Sequence, residues 1–211
     1  WRAASGPVKK ATVMFSGLPN LLTLSRILVI PIFLAAFAVP APAANWVAFG
    51  LFLAASLTDW LDGFLARKLG QTSEFGRFLD PVADKLLVAA ALIMLVADGR
   101  APAIAALIIL CREILISSLR QFLAREALKL PVTMLAKIKT ATQMLALSVL
   151  LVGDAATGIG LSAKLMLDGG AWLLWLAAVL SVASGWGYAR HGISMMLATD
   201  KDKDSKGVAD R

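Results

Sequence analysis

Six long apolar runs divide this chain, each broken off by proline, glycine or a knot of charge. They cover about 20–39, 46–68, 80–97, 102–125, 135–152 and 171–196. As helices rising about 1.5 Å per residue, runs of this length cross most or all of ~30 Å of hydrocarbon. Leu18-Pro19-Asn20 turns the chain into the first helix, Pro31 is expected to kink it, and Pro40-Ala41-Pro42 ends it. Pro81 falls in the first turn of the third helix, where its missing N–H does no harm, and Asp98-Gly99-Arg100 makes a tight turn beyond. The polar stretch 68–78 reads as a connection and 153–170 as a loop. No internal repeat or low-complexity domain interrupts the pattern. The expected fold is all-α and integral to a membrane, with six transmembrane helices and a polar cavity open to the cytoplasmic side.

Composition narrows that expectation. At 59% hydrophobic residues and a mean hydropathy of +0.76, an ordinary soluble domain is excluded. Residues 1–17 read as a basic N-terminal segment, 18–198 as one membrane domain, and 199–211 as a charged tail expected to be disordered. A net charge of +7 raises the question of nucleic acid, but the cations sit at the ends of apolar runs rather than in one solvated patch. No nucleic-acid partner is expected. Basic residues concentrate before residue 18, from Arg67 to Arg77, from Arg120 to Lys139, and after 199, whereas the alternate loops hold only Arg100 and Lys164. The positive-inside rule then places both termini on the cytoplasmic side of a bacterial-type cytoplasmic (inner) membrane, crossed several times. The single cysteine, Cys111, excludes an intrachain disulfide. Residue 1 is Trp, not Met, so an upstream start is expected, with room for a tag or targeting segment.

Charge inside the apolar runs changes the picture most. Asp59 and Asp62 close the second run, and Asp80 and Asp84 open the third. Asp59, Asp62, Gly63 and Ala66 share one helical face at i, i+3, i+4 and i+7, and Asp80 and Asp84 are one turn apart. The bland reading is four solvated carboxylates that help stop the spans. Acids at the edge of a bilayer, however, repel one another and lose solvation, and such residues usually mark function. Divalent cations offset the charge, and an all-oxygen set suits Mg²⁺, Mn²⁺ or Ca²⁺ better than zinc. Two metals ~4 Å apart can clamp a diphosphate, stabilise a leaving oxygen and orient a nucleophile.

The pattern Asp59-x2-Asp62-Gly63-x2-Ala66-Arg67-x8-Gly76-x3-Asp80-x3-Asp84 resembles the signature of the CDP-alcohol phosphotransferase family at all eight fixed positions. The resemblance extends over roughly residues 17–197. It implies that Asp59, Asp62 and Asp80 ligate metal, and that Asp84 does so while taking the proton from the attacking hydroxyl. It implies too that Asp62, Gly63, Ala66, Arg67 and Gly76 contact the CDP part of the donor. Glycine suits a nucleotide that must approach the backbone closely, although helix packing explains Gly63 alone equally well. Upstream, Asn20, Thr23 and Arg26 lie at helical spacing in the family-like segment PNLLTLSR, with Asn20 and Thr23 assigned to the donor. An N-cap and an interfacial arginine account for each of them singly.

Arg112-Glu113 with Ser117, Ser118 and Arg120, followed by the segment AKIKTATQM at 136–144, resembles the branch of that family that uses glycerol 3-phosphate. Arg112 lies too deep in its run to be loop charge. Arg112, Lys137, Lys139 and Arg120 are therefore candidates for holding an acceptor's phosphate. Topological flanking explains Arg125 and Lys129, and competes for Lys137. His191 reads as interfacial, and Trp172, Trp175 and Trp186 as belt and packing residues. The resemblance implies transfer of a phosphatidyl group from CDP-diacylglycerol to glycerol 3-phosphate, giving phosphatidylglycerol phosphate and CMP, with two Mg²⁺ or Mn²⁺ ions per site. Membrane lipids are the remaining partners, and a homodimer is compatible with the pattern. Two alternatives stand beside it. A cardiolipin synthase of the same family would take phosphatidylglycerol as acceptor, and a divalent-cation transporter would leave Gly63, Arg67 and Gly76 without a role.

Overall fold

The structure, a computed structural model, describes the backbone of residues 18–69, 74–125 and 133–209. Side chains are described for these residues except at 18–24, 26, 59–69, 74–81, 84, 125, 191, 193 and 195–209. Among the described residues there is no strand. Within the described residues six α-helices follow one another: α1 (Leu18–Ala36), α2 (Ala43–Leu69), α3 (Glu74–Ala97), α4 (Ala103–Arg125), α5 (Met134–Val152) and α6 (Ala163–Ala209), with a 3₁₀ helix at Gly153–Ile159. The all-α class is as the apolar runs require.

Three boundaries differ from expectation. Helix α3 starts at Glu74, so Gly76 lies in a helix and not in the connection. Phe75 and Phe78 keep the apolar spacing going through a segment whose polar residues suggest a loop. The stretch 153–170 is mostly helical: the 3₁₀ helix fills its first half and α6 begins at Ala163. Gly169 and Gly170 do not stop α6, since glycine is well tolerated in apolar helices. Helix α6 also runs on to Ala209, over most of the tail expected to be disordered. Asp200, Lys201, Asp202, Lys203, Asp204 and Lys206 put opposite charges at i, i+3 and i, i+4, a pattern that favours a helix over a random tail.

The helices form two compact units, one of Trp1–Arg100 with Ser148–Leu167, the other of Ala101–Leu147 with Asp168–Arg211. In the first, α1 packs on both α2 and α3, and α2 also meets α3 and the 3₁₀ helix. The buried stripe of α2 is Ala44, Ala48, Phe52 and Ala55, and that of α3 is Ala83, Leu87, Ala91 and Leu95, with Phe33 of α1 fully buried as well. At one end, three connections are tied together. Asn45 donates through Nδ2 to the Val152 carbonyl (3.1 Å) and to Asp154 Oδ1 (2.6 Å), and Arg100 reaches the same Asp154 oxygen at 3.5 Å. Gly99 makes the turn that delivers Arg100: its φ is +71°, and Arg100 N–H bonds back to the Leu95 carbonyl. Gly153 leaves room for the arginine, because at φ +49° any Cβ would sit 3.0 Å from Arg100 Nη1.

In the second unit, α4 and α6 run the same way. Arg112 meets Ser181 and Ser184, Ile116 lies by Gly185, and Leu119 and Leu123 lie by Gly192. Helix α5 runs against them, since Glu113 meets Lys139 while Leu119 and Ala136 pack against the cluster of Ile116, Leu123 and Tyr188. This alternation of direction is what successive membrane crossings produce.

The outward faces carry Leu107, Ile114, Leu115, Val179, Val182 and, three-quarters exposed, Trp172 and Trp186. An apolar surface of this extent belongs in lipid. Met134–Ile159 and Ala163–Arg190 are long and apolar enough to cross a membrane, and Ile27–Ala36, Ala43–Thr58 and Lys85–Ala97 are shorter apolar stretches. The chain has the character of a membrane protein.

Candidate active site

The aspartates occupy the join between α2 and α3. In sequence, Asp59 and Asp62 follow the apolar residues of α2, and Asp80 and Asp84 precede those of α3. Asp59 and Asp62 take the next places in the buried register of α2 after Ala55. Asp80 and Asp84 precede Leu87 and Ala91 by seven residues each, the same register in α3. With only residues 70–73 between the helices, both pairs lie within about three turns of the connection. Just before the motif, Ser56 and Thr58 return their hydroxyls to the carbonyls of Phe52 and Ala54, so those polar groups are satisfied within α2.

The side chains of Asp59, Asp62, Ala66, Arg67, Asp80 and Asp84 lie outside the described ones, as do those of Asn20, Thr23 and His191, and Gly63 and Gly76 are described in backbone alone. Among the described residues no three His, Cys, Asp or Glu side chains gather. The fit to a metal therefore rests on the donor set: four carboxylates with no thiol or imidazole, hard oxygen ligands suited to Mg²⁺ or Mn²⁺.

The second unit carries a buried polar cluster among apolar helices. Arg112, whose side chain is 13% exposed, donates from Nε to the Ser181 carbonyl (3.2 Å) and from Nη2 to Ser184 Oγ (2.9 Å). Its guanidinium carbon stands 6.0 Å from the centre of the Tyr188 ring, and Tyr188 Oη accepts from the Thr133 N–H at 3.0 Å. Gly185 makes the approach possible, because a Cβ there would come within 3.2 Å of Arg112 Cγ. The remaining face of the guanidinium turns to Glu113 Oε1 at 3.1 Å, and Lys139 Nζ pairs with the same oxygen. Lys139 is almost fully buried.

Of the four basic residues expected at one phosphate, then, Arg112 and Lys139 come together, whereas Lys137 and Arg120 are exposed. Lys137 sits two residues before Lys139, roughly 200° around α5. Sequence reasoning assigned no role to Ser181, Ser184, Tyr188 or Gln143. Gln143 is buried one turn beyond Lys139, and among the described residues its Oε1 and the Ser181 Oγ have no hydrogen-bond partner. Their signal was present in the spacing, since 181, 184, 185 and 188 form one helical stripe of small and polar residues. The apolar groove of about 350 Å³ lined by Ile108, Trp175, Ala178, Val179, Val182 and Ala183 offers no group for chemistry.

A helical membrane protein with this aspartate motif defines a class, and sequence comparison gives the same one. The family model described as CDP-alcohol phosphatidyltransferase matches residues 16–183, and the chain belongs to that family, a family of transferases. Among individual relatives, the chain is 44% identical over 172 residues to the CDP-diacylglycerol--glycerol-3-phosphate 3-phosphatidyltransferase of Rickettsia felis, covering 81% of this chain and 92% of that one. The protein of the same name from Bacillus subtilis is 42% identical over 184 residues, with 81% and 92% covered. A plant relative, CDP-diacylglycerol--glycerol-3-phosphate 3-phosphatidyltransferase 2 of Arabidopsis thaliana, is 41% identical over 197 residues, with 85% and 82% covered.

Proposed function

We propose that this protein transfers the phosphatidyl group of CDP-diacylglycerol to glycerol 3-phosphate, yielding phosphatidylglycerol phosphate and CMP. The observation that carries the reading is the aspartate motif at the join of α2 and α3, complete at its eight positions, in a chain whose relatives bear the names above. The 1-hydroxyl of glycerol 3-phosphate attacks the phosphorus bonded to diacylglycerol. A new P–O bond forms, the bridging P–O bond breaks, and CMP leaves with the electron pair. Asp84 accepts the hydroxyl proton. Asp59, Asp62, Asp80 and Asp84 would hold two divalent cations, Mg²⁺ or Mn²⁺. Such ions, when bound, supply charge neutralisation for the diphosphate and the departing CMP.

Asp62, Gly63, Ala66, Arg67 and Gly76, with Asn20 and Thr23, bind the CDP moiety; the small residues admit the nucleotide and Arg67 donates to it. Arg112 and Lys139 bind the acceptor's phosphate, with Lys137 and Arg120 adding cationic attraction from exposed positions. An amphiphilic donor suits a motif set beside apolar runs: the acyl chains remain in lipid and the nucleotide reaches water. The architecture we infer is six transmembrane helices in an inner membrane, both termini and a polar cavity on the cytoplasmic side. The joined connections at Asp154 and the alternating directions of α4, α5 and α6 support it. The test is CMP release from CDP-diacylglycerol by purified protein in detergent, with Mg²⁺, with Mn²⁺ and with chelator. Release that requires both metal and glycerol 3-phosphate is expected. Release unaffected by chelator would remove the metal assignment, and metal flux without CMP release would favour a transporter.

A further inference from the structure

We propose that Glu113 is a positioning residue of the acceptor site, the carboxylate that gathers Arg112 and Lys139 into one anion-binding pair. This rests on the reading that those two cations hold the acceptor's phosphate. The observation is that a single oxygen, Glu113 Oε1, takes both Arg112 Nη1 and Lys139 Nζ. Two cations from different helices thus converge on one anionic oxygen, the arrangement a phosphate oxygen also needs.

The three side chains are not held alike. Arg112 and Glu113 are adjacent on α4 and so project about 100° apart, one toward α6 and the other toward α5. The arginine is fixed by α6: the Ser181 carbonyl, Ser184 Oγ and the Tyr188 ring take its other surfaces. Lysine has a flexible four-carbon stem and no such fork. Glu113 places the Lys139 ammonium beside the fixed guanidinium and compensates its charge in a site where that side chain is 2% exposed. With a neutral residue at 113, Lys139 loses the carboxylate that directs its ammonium toward Arg112, and the ammonium turns away from the guanidinium. That movement removes one of the two phosphate contacts. Donor contacts are assigned to other residues, so the donor KM serves as the control.

Four variants test this: Glu113→Gln, Glu113→Asp, Arg112→Gln and Lys139→Gln. Each is purified in detergent and assayed by CMP release, with KM measured separately for glycerol 3-phosphate and CDP-diacylglycerol, and with thermal stability alongside. Glu113→Gln is expected to raise the acceptor KM by about tenfold or more while the donor KM stays within about twofold, the size of one lost charge-assisted contact. Glu113→Asp keeps the charge but shortens the reach, so it should raise the same KM less, by about two- to fivefold. A merely structural acid would instead lower thermal stability and move both KM values together, and that result would overturn the proposal. So would an acceptor KM for Glu113→Gln that is unchanged or lower while Arg112→Gln and Lys139→Gln raise it; the acceptor site would then survive without Glu113. If Arg112→Gln and Lys139→Gln leave the acceptor KM alone, the acceptor site itself is wrong and the proposal falls with it. Should Glu113→Gln not fold, Glu113→Asp decides: a folded variant with the wild-type acceptor KM refutes the positioning role.

Discussion

Asn45→Ala should destabilise the protein without touching its chemistry. Asn45 is buried at the start of α2, and its Nδ2 serves both the Val152 carbonyl and Asp154 Oδ1. Alanine leaves the buried carbonyl without this donor, a loss of about 1–3 kcal/mol. The second loss is smaller, because the Asp154 side chain is 50% exposed and keeps Arg100. A total near 2 kcal/mol corresponds to a fall in Tm of roughly 4–8 °C for a chain of this size. Asn45→Asp should be worse, since it sets a carboxylate against both the Asp154 carboxylate and a carbonyl. The assay is thermal inactivation in detergent, reading the CMP release that survives heating, with kinetics at 25 °C measured in parallel. Both KM values should stay within about twofold of wild type, because Asp59 lies about 21 Å further along α2. A Tm within a degree of wild type, or a KM shift without loss of stability, would refute the claim that Asn45 only ties the connections together.

Other outcomes follow from the same structure. Asp80→Asn should reduce transfer to background while the protein still inserts and keeps its helical circular dichroism; turnover at ordinary Mg²⁺ would sink the two-metal reading. Lys139→Gln or Arg112→Gln should raise the acceptor KM by about ten- to a hundredfold, and Lys137→Gln, losing an exposed cation, by much less. In a Cys111→Ala background, a cysteine placed within 154–168 should react with an impermeant reagent outside intact cells, and one within 70–76 should not. The reverse pattern would invert the topology and with it the access route of glycerol 3-phosphate.

The apolar runs made the number of helices legible, because spans of this length and hydropathy leave few alternatives. Their ends were harder to read. The stretch 68–78 is mostly polar residues and glycine, and the helical start of α3 within it shows only in the spacing of Phe75 and Phe78, while Gly169-Gly170 punctuates soluble chains but not an apolar helix. The aspartate motif was legible because its information is local: residue type and gap suffice. The link between Glu113 and Lys139 spans 26 residues and two helices, and no short-range rule pairs them. Arg112 and Lys139 could be named as candidate phosphate cations from sequence. That one acid joins them, and that Ser181, Ser184 and Tyr188 hold the arginine, needed the packing of α4 on α5 and on α6.

The most direct test of the whole account is the fate of the acceptor. Purified protein is given CDP-diacylglycerol, Mg²⁺ and ¹⁴C-labelled glycerol 3-phosphate, with phosphatidylglycerol, inositol phosphate and serine as competing acceptors, and the lipid products are extracted. The account predicts label in phosphatidylglycerol phosphate, one equivalent per CMP released, and no label in lipid with Asp80→Asn. Cardiolipin as the product, with no label from glycerol 3-phosphate in lipid, would contradict it.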